Sequence, residues 1–223
     1  MTPLSKLLSF FPSVTLAGAA LASLYGIWGR SPWGLLLGLF FLYGLPVLSY
    51  RLHSRRYPLN YGISYLQGDD YSPWWGSHQL QVIYVAFPVL ETLLRLVPGL
   101  FSAWLRLWGA QVGKRVYWTP GLEIADRGLL FVGDDVVFGH RVGLSSHIIK
   151  PRRDNLMLYV KPITIGDGSF IGAGSYLGPG ATVTAGSYLT ARSEIYPNVT
   201  VDGLADEAHP DDCSPEAHHA LAD

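Results

Sequence analysis

Aliphatic residues recur at every sixth position late in the chain, at Ile165, Ile171, Leu177, Val183, Leu189 and Ile195. The residue after each of the first five is small (Gly166, Gly172, Gly178, Thr184, Thr190). So is the fifth residue of each unit, at Ser169, Ser175, Ala181, Ser187 and Ser193. A helix repeats every 3.6 residues and a strand every two, so a strict six fits neither a helix face nor a hairpin meander. The pattern predicts a solenoid of very short strands, with each hexapeptide forming one flat side and its aliphatic residue on the axis. Three sides of six make a coil of 18 residues.

The same beat starts at Val112, continues at Trp118 and Ile124, slips by two residues, and resumes at Val132, Phe138 and Leu144. A long interruption follows: Leu144 to Ile165 spans 21 residues where 18 would return to the same side. Between His147 and Pro162 stand Lys150, Pro151, Arg152, Arg153, Asp154 and Asn155, which fit no side of a prism. The segment must leave the coil. In a fold this regular, function is expected where the repeat breaks.

The N-terminal part follows a different rule. No charged side chain occurs from Leu7 to Trp28, 22 residues, or from Trp33 to Tyr50, 18 residues. Both runs can cross a hydrocarbon core. They predict a transmembrane hairpin over 1–56, joined by Gly29, Arg30, Ser31 and Pro32. Lys6 before the first run and Arg51, Arg55 and Arg56 after the second, against Arg30 alone between them, put both ends of the hairpin in the cytoplasm. For the first run a cleaved signal peptide is the alternative, with Ala20 and Ala22 as its A-x-A.

Over 57–108 the chain turns aromatic and broken. Tyr, Pro, Gly, Asp and Trp dominate from Tyr57 to His78, with Trp74 and Trp75 adjacent. Such a segment suits either a lipid headgroup boundary or an aromatic cluster packed on the solenoid. Leu80 to Trp108 is apolar, yet it carries Glu91, Arg95 and Arg106 and is cut by Pro88 and Pro98. Two helices lying on the membrane surface are expected there, with Glu91 and Arg95 paired one turn apart. The solenoid is expected over 109–200, and an acidic flexible tail over 201–223.

Composition agrees with a membrane portion: 49% of residues are hydrophobic, 15% are charged, and mean hydropathy is +0.22. The net charge of −1 gives no basic field for nucleic acid. One cysteine, Cys213, excludes a disulfide framework within the chain and a thiolate metal cluster.

The run ITIGDGSFIGAGSYLGPGATV, Ile163 to Val183, followed by LTARSEIYPN, resembles the hexapeptide-repeat acyltransferases. The resemblance covers roughly Trp104 to Val199. It implies a mainly β fold, a left-handed parallel β-helix, here preceded by the α-helical membrane region. It also implies a homotrimer with acetyl-CoA or another acyl-CoA as co-substrate and no metal. In that family a histidine on a loop leaving the helix is the general base, and SHIIKPRRDNLMLYVKPITIGD resembles that arrangement, which points to His147. An imidazole titrating near about 6.5 suits such a base. Asp154 or Asn155 is the candidate to orient it. Gly172, Ala173, Gly174, Ala191 and Arg192 would line an acyl-CoA groove between subunits, although small residues are also what a hexapeptide needs merely to turn. Ile195, Tyr196 and Pro197 stand where relatives often carry Thr and Lys, so the adenosine-end contact departs from the pattern. His140, Arg152 and Arg153 are candidate acceptor contacts, and Lys150, Arg152, Arg153, Lys161 and Arg192 candidate phosphate partners for the coenzyme, with lipid headgroups as the alternative.

The expected activity is transfer of an acyl group from acyl-CoA to a hydroxyl or amine of a membrane lipid or lipid-linked acceptor, at the cytoplasmic face of a cytoplasmic (inner) membrane. Two other classes remain. A zinc carbonic anhydrase of the same fold needs three histidines on one ion, and the coils offer His140 and His147. A non-catalytic scaffold would keep the prism without the chemistry.

Overall fold

The computed structural model describes residues 2–203. Residues 204–223, and Cys213 with them, lie outside the described residues, as does most of the segment expected to form an acidic tail.

Two apolar helical runs, Pro3–Trp28 and Pro32–Arg56, open the chain, each with mean hydropathy 1.7 and long enough to cross a membrane. They pack through small residues. Gly26 and Gly34 meet backbone to backbone, and a side chain on Gly38 would strike Ser23. Their large side chains face outward: Leu21, Leu24, Ile27, Trp33, Leu36 and Leu39 are all exposed. The second run carries a π-helical turn at Phe40–Gly44, just before Pro46. Pro46 has no N–H for the carbonyl of Leu42. Tyr84 fills the place, its hydroxyl donating to Leu42 O at 2.6 Å. Tyr43 in turn donates its hydroxyl to Leu90 O at 2.9 Å, and Tyr50 sits edge-on to Trp108 with ring centroids 5.0 Å apart. These contacts fix the hairpin to the rest of the protein.

The solenoid forms as the period of six requires. Three parallel sheets are its sides. On one, Val112, Val132, Ile165, Val183 and Val201 stand in register. Trp118, Phe138, Ile171 and Leu189 stack on the second, and Ile124, Leu144, Leu177 and Ile195 on the third. Strands of two or three residues cannot hold alone. They are held because each coil donates backbone N–H groups to the next, as Gly133 does to Ile165 O at 2.8 Å and Gly166 to Val183 O at 2.8 Å. The inward residues form one continuous core with Leu105 and Trp108 of the helix Leu100–Trp108.

Leu144 and Ile165 lie on consecutive sides, not on the same side of successive coils. One step of six separates consecutive sides, so the 21-residue interval holds 15 extra residues rather than three. Those residues form an antiparallel hairpin, His147–Arg152 with Asn155–Val160. Gly62–Tyr65 pairs with it as a third strand, Gly62 opposite Val160. The earlier two-residue slip after Ile124 forms a 3₁₀ turn at Arg127–Leu129. Both irregularities occupy the same edge of the prism, one coil apart. The Ser146 hydroxyl ties them by donating to Leu129 O at 3.1 Å.

Over 57–108 the structure corrects one expectation and decides between two alternatives for another. Leu80 to Trp108 makes three short helices, Val82–Ala86, Val89–Arg95 and Leu100–Trp108, because Pro88 and Gly99 interrupt it. Trp74 belongs to a helix, Pro73–Gln79, and is buried against the prism, which is the second of the two alternatives for the aromatic segment. The Glu91–Arg95 pair forms as expected, at 3.1 Å.

A Cβ on Gly172 would run into the Thr190–Ala191 peptide of the next coil, so its smallness is demanded from within the chain. Gly172→Ala should lower the stability of the detergent-solubilised protein by about 1–3 kcal/mol, read as a lower midpoint of thermal or chemical unfolding. An unchanged midpoint would contradict this stacking of the coils.

Candidate active site

Asp126 is the residue around which the edge of the prism assembles. It precedes the 3₁₀ turn of the two-residue slip, and its side chain is 4% exposed. Its Oδ1 accepts from the indole N–H of Trp74 at 3.1 Å, and its Oδ2 lies 2.7 Å from His147 Nδ1. A carboxylate can only accept, so Nδ1 carries the proton and the Nε2 lone pair is left free. Trp74 also braces the ring, with centroids 4.5 Å apart, and stacks on His78 at 5.0 Å. Carboxylate and indole therefore fix both the tautomer and the plane of His147.

His147 borders a cavity of about 360 Å³ between the outer face of one sheet and the short helices that cover it. The sheet contributes Leu122 to Ala125, Gly143 to Ser145 and Tyr176, and the helices contribute His78, Tyr84, Val85, Pro88 and Glu91. Arg127 completes the wall. His78 is held below the ordinary imidazole range, first by burial, with the His147 and Arg127 charges acting in the same direction against Asp126. It is therefore neutral near pH 7, and its Nδ1 is buried without a partner.

The other candidate residues fall elsewhere. Asp154 is exposed in the turn of the hairpin, and Asn155 follows it. At a strand rise of about 3.3 Å per residue, Arg152 is already about 17 Å along the strand from His147. Neither Asp154 nor Asn155 orients the imidazole. Asn155 instead clamps the strand Gly62–Tyr65, accepting from Gln67 N at 2.9 Å and donating to Gln67 O at 2.9 Å. Arg152 and Arg153 are exposed at the same tip, outside the cavity. His140 is exposed on a different edge, its Nδ1 2.7 Å from Pro120 O. Ala173, Gly174, Ala191 and Arg192 stack along that edge next to His140: Gly174 N donates to His140 O, and Arg192 N to Ala173 O. Within one chain these positions and His147 do not meet.

Asp126, His78 and Arg127 are not singled out by the sequence, and Trp74 is noted there only as part of an aromatic segment. The slip at Ile124 was the available signal, since a two-residue insertion carrying Asp and Arg interrupts a run of small corner residues.

Among the described residues no group of three or more His, Cys, Asp or Glu side chains is gathered as a metal ion would require. His140 and His147 lie on different edges of the prism, so a three-histidine zinc site has no basis in their placement.

Among the described residues the chain is thus a coil with three parallel sides, strands of two or three residues and one hairpin excursion, as a six-residue repeat requires. In agreement, residues 162–191 match the family described as the hexapeptide repeat of succinyl-transferase. The prism is thus the left-handed parallel β-helix of that repeat. No curated protein matches the sequence. Among solved structures, a hexapeptide-repeat acetyltransferase from Vibrio cholerae in complex with acetyl coenzyme A is similar at 18% identity over 62% of this chain and 90% of its own, with a TM-score of 0.39. A galactoside acetyltransferase in complex with coenzyme A is similar at 20% identity over 50% of this chain and 74% of its own, TM-score 0.35. A serine acetyltransferase from Entamoeba histolytica in complex with cysteine is similar at 15% identity over 82% and 65%, TM-score 0.35.

The depressed His78 fixes the sign of one pH effect. Between its folded value and about 6.5 the unfolded chain binds the extra proton, so stability falls as pH drops through that window and levels off below the folded value. His78→Gln should flatten this dependence when unfolding midpoints are compared between pH 7.5 and 5. An identical slope in both proteins would show that His78 does not contribute.

Proposed function

We propose that the protein is an acyl-CoA-dependent acyltransferase, with acetyl the favoured group, acting on a hydroxyl or amine of a membrane-associated acceptor. The observation that carries this reading is the His147–Asp126 pair at a cavity, formed where the hexapeptide repeat breaks. His147 Nε2 takes the proton from the acceptor while its oxygen or nitrogen attacks the thioester carbonyl. The new C–O or C–N bond forms, the C–S bond breaks, and the imidazolium returns its proton to the departing thiolate. Asp126 holds the imidazole and stabilises its charged form during the transfer.

The two apolar helical runs and their outward-facing leucines and tryptophans support membrane attachment. The charge asymmetry around them supports a cytoplasmic prism, where acyl-CoA is available. Val85 and Pro88 belong at once to the cavity wall and to the apolar surface of the short helices, whose Val85, Phe87, Val89, Leu93 and Leu96 are exposed. An acceptor lying in the bilayer surface could reach His147 along that surface. The edge with His140, Gly174 and Arg192 suits an acyl-CoA groove only if a neighbouring copy brings it to His147. A homotrimer supplies that arrangement.

Acetyl-CoA supplied with membrane extract should release thiol in proportion to the protein. His147→Ala should lower that rate by about 10²–10⁴-fold. Asp126→Asn should lower it severely without unfolding the protein, because an amide can donate to Nδ1 and turn the imidazole into the wrong tautomer. Equal thiol release from wild type and His147→Ala would remove His147 from the mechanism. Acyl-CoA failing to bind at all would favour the scaffold reading.

A further inference from the structure

The cavity wall contains a buried charge cluster that the proton transfer does not use. Arg127 is 1% exposed, and its Nε donates to Glu91 Oε1 at 2.6 Å. Glu91, 3% exposed, also receives Arg95 Nη2 at 3.1 Å, and that nitrogen is shared with Leu122 O at 3.0 Å. Two guanidinium groups thus meet one carboxylate. Asp126, the next acid along, is committed to Trp74 and His147.

Counting Asp126 the charges balance formally, yet the hydrogen bonding of the buried Arg127 guanidinium is incomplete. Arg127 Nη1 has no hydrogen-bond acceptor at all. The face of Tyr84, 4.9 Å from the guanidinium carbon, offsets part of that deficit. Burying a guanidinium N–H without an acceptor is costly. At a cavity wall such a cation has a use, because an entering anion removes the deficit. Glu123, the other carboxylate on the wall, is exposed and outside the cluster.

Resting on the acyltransfer reading, we propose that Arg127 is the anion-recognising group of the acceptor subsite, so that the acceptor carries a phosphate or carboxylate close to the group that is acylated. Asp126 and Arg127 are consecutive. One backbone segment therefore sets both the carboxylate that orients the base and the cation that receives the acceptor, which fixes the spacing between reacting atom and anionic group. Val85, Pro88 and Leu122 on the same wall favour an apolar neighbour to that group. The acceptor class is an anionic amphiphile or a soluble anionic hydroxyl compound, and the phosphate chemistry is common to both.

The full chain in detergent micelles is titrated with inorganic phosphate, with dihexanoyl phosphatidic acid and with neutral dihexanoylglycerol, at ionic strength matched with chloride. The midpoint of thermal unfolding is followed. Phosphate, phosphatidic acid or both should raise it saturably, and dihexanoylglycerol should not. Phosphatidic acid alone would assign a lipid headgroup, whereas equal binding of phosphate would assign a soluble anion. Arg127→Lys keeps a cation for Glu91 but loses the fork, and should weaken the apparent affinity about tenfold. No saturable effect beyond chloride, or equal affinity in wild type and Arg127→Lys, would overturn the assignment.

A second arm supplies labelled acetyl-CoA and host membrane extract, removes residual acetyl-CoA and free acetate, then separates the acylated products on an anion exchanger. Label should be retained, and Arg127→Lys should raise KM for the retained fraction with kcat little changed. Label found wholly in the flow-through would reject the anionic acceptor while leaving acyl transfer intact. Phosphate binding that depends on Arg127, with no label in either fraction, would keep the anion subsite and reject acyl transfer.

Discussion

Coil-on-coil register is the constraint on which the rest of the structure depends. Each two-residue strand is held by backbone bonds to the strands above and below it, and each inward side chain rests on its counterpart one coil away. A residue added within a side would turn every later aliphatic residue off the axis. Extra residues can enter only at an edge, and there they need support of their own. The hairpin His147–Val160 obtains it from the strand Gly62–Tyr65, and the slip at Ala125–Leu129 obtains it from the helices that carry Trp74, Gln81 and Glu91. Both irregularities therefore recruit the segment 57–108 to the same edge, and the cavity lies where the two supports meet.

The same dependence explains why polar groups tolerate burial there. Gln81 Oε1 accepts from Arg127 N at 2.8 Å, and Gln81 Nε2 donates to Ser77 O at 3.1 Å. The slipped backbone is thus satisfied by side chains from helices distant in sequence. Buried ion pairs rarely add net stability, because desolvation offsets most of the attraction. Glu91, Arg95 and Arg127 are better understood as fixed charges that define a site than as supports of the fold. Stability comes instead from the aliphatic column and from Leu105 and Trp108 at its start, which are fully buried.

The sequence made the column legible because its physics is local: one residue in six must point inward, and that leaves a period. It also marked the hairpin, since charged and proline-rich residues cannot occupy a prism side. It misjudged the length of that break, because counting from Leu144 to Ile165 required knowing that consecutive sides, not consecutive coils, were being joined. The partner of His147 was hidden for a similar reason. Asp154 and Asn155 are near in sequence but lie at the far end of a stiff two-stranded ribbon. Asp126 is 21 residues away, yet the stacked edge brings it to 2.7 Å. Trp74 was weighed between a lipid boundary and the prism, and only the hydrogen bond from its indole to Asp126 decides between them.

The apolar helices gain their importance from the way Tyr84 is used. Its hydroxyl closes the carbonyl freed by Pro46 in the second apolar run, its ring packs edge-on to Trp104 and Trp108, and its face receives the Arg127 guanidinium. One side chain thus joins the membrane-length hairpin, the aliphatic column and the cavity wall. A displacement of the hairpin would move the Tyr84 ring and with it the cation beside His147. The position of the site relative to the apolar surface is consequently set by packed aromatic rings and not by a flexible linker.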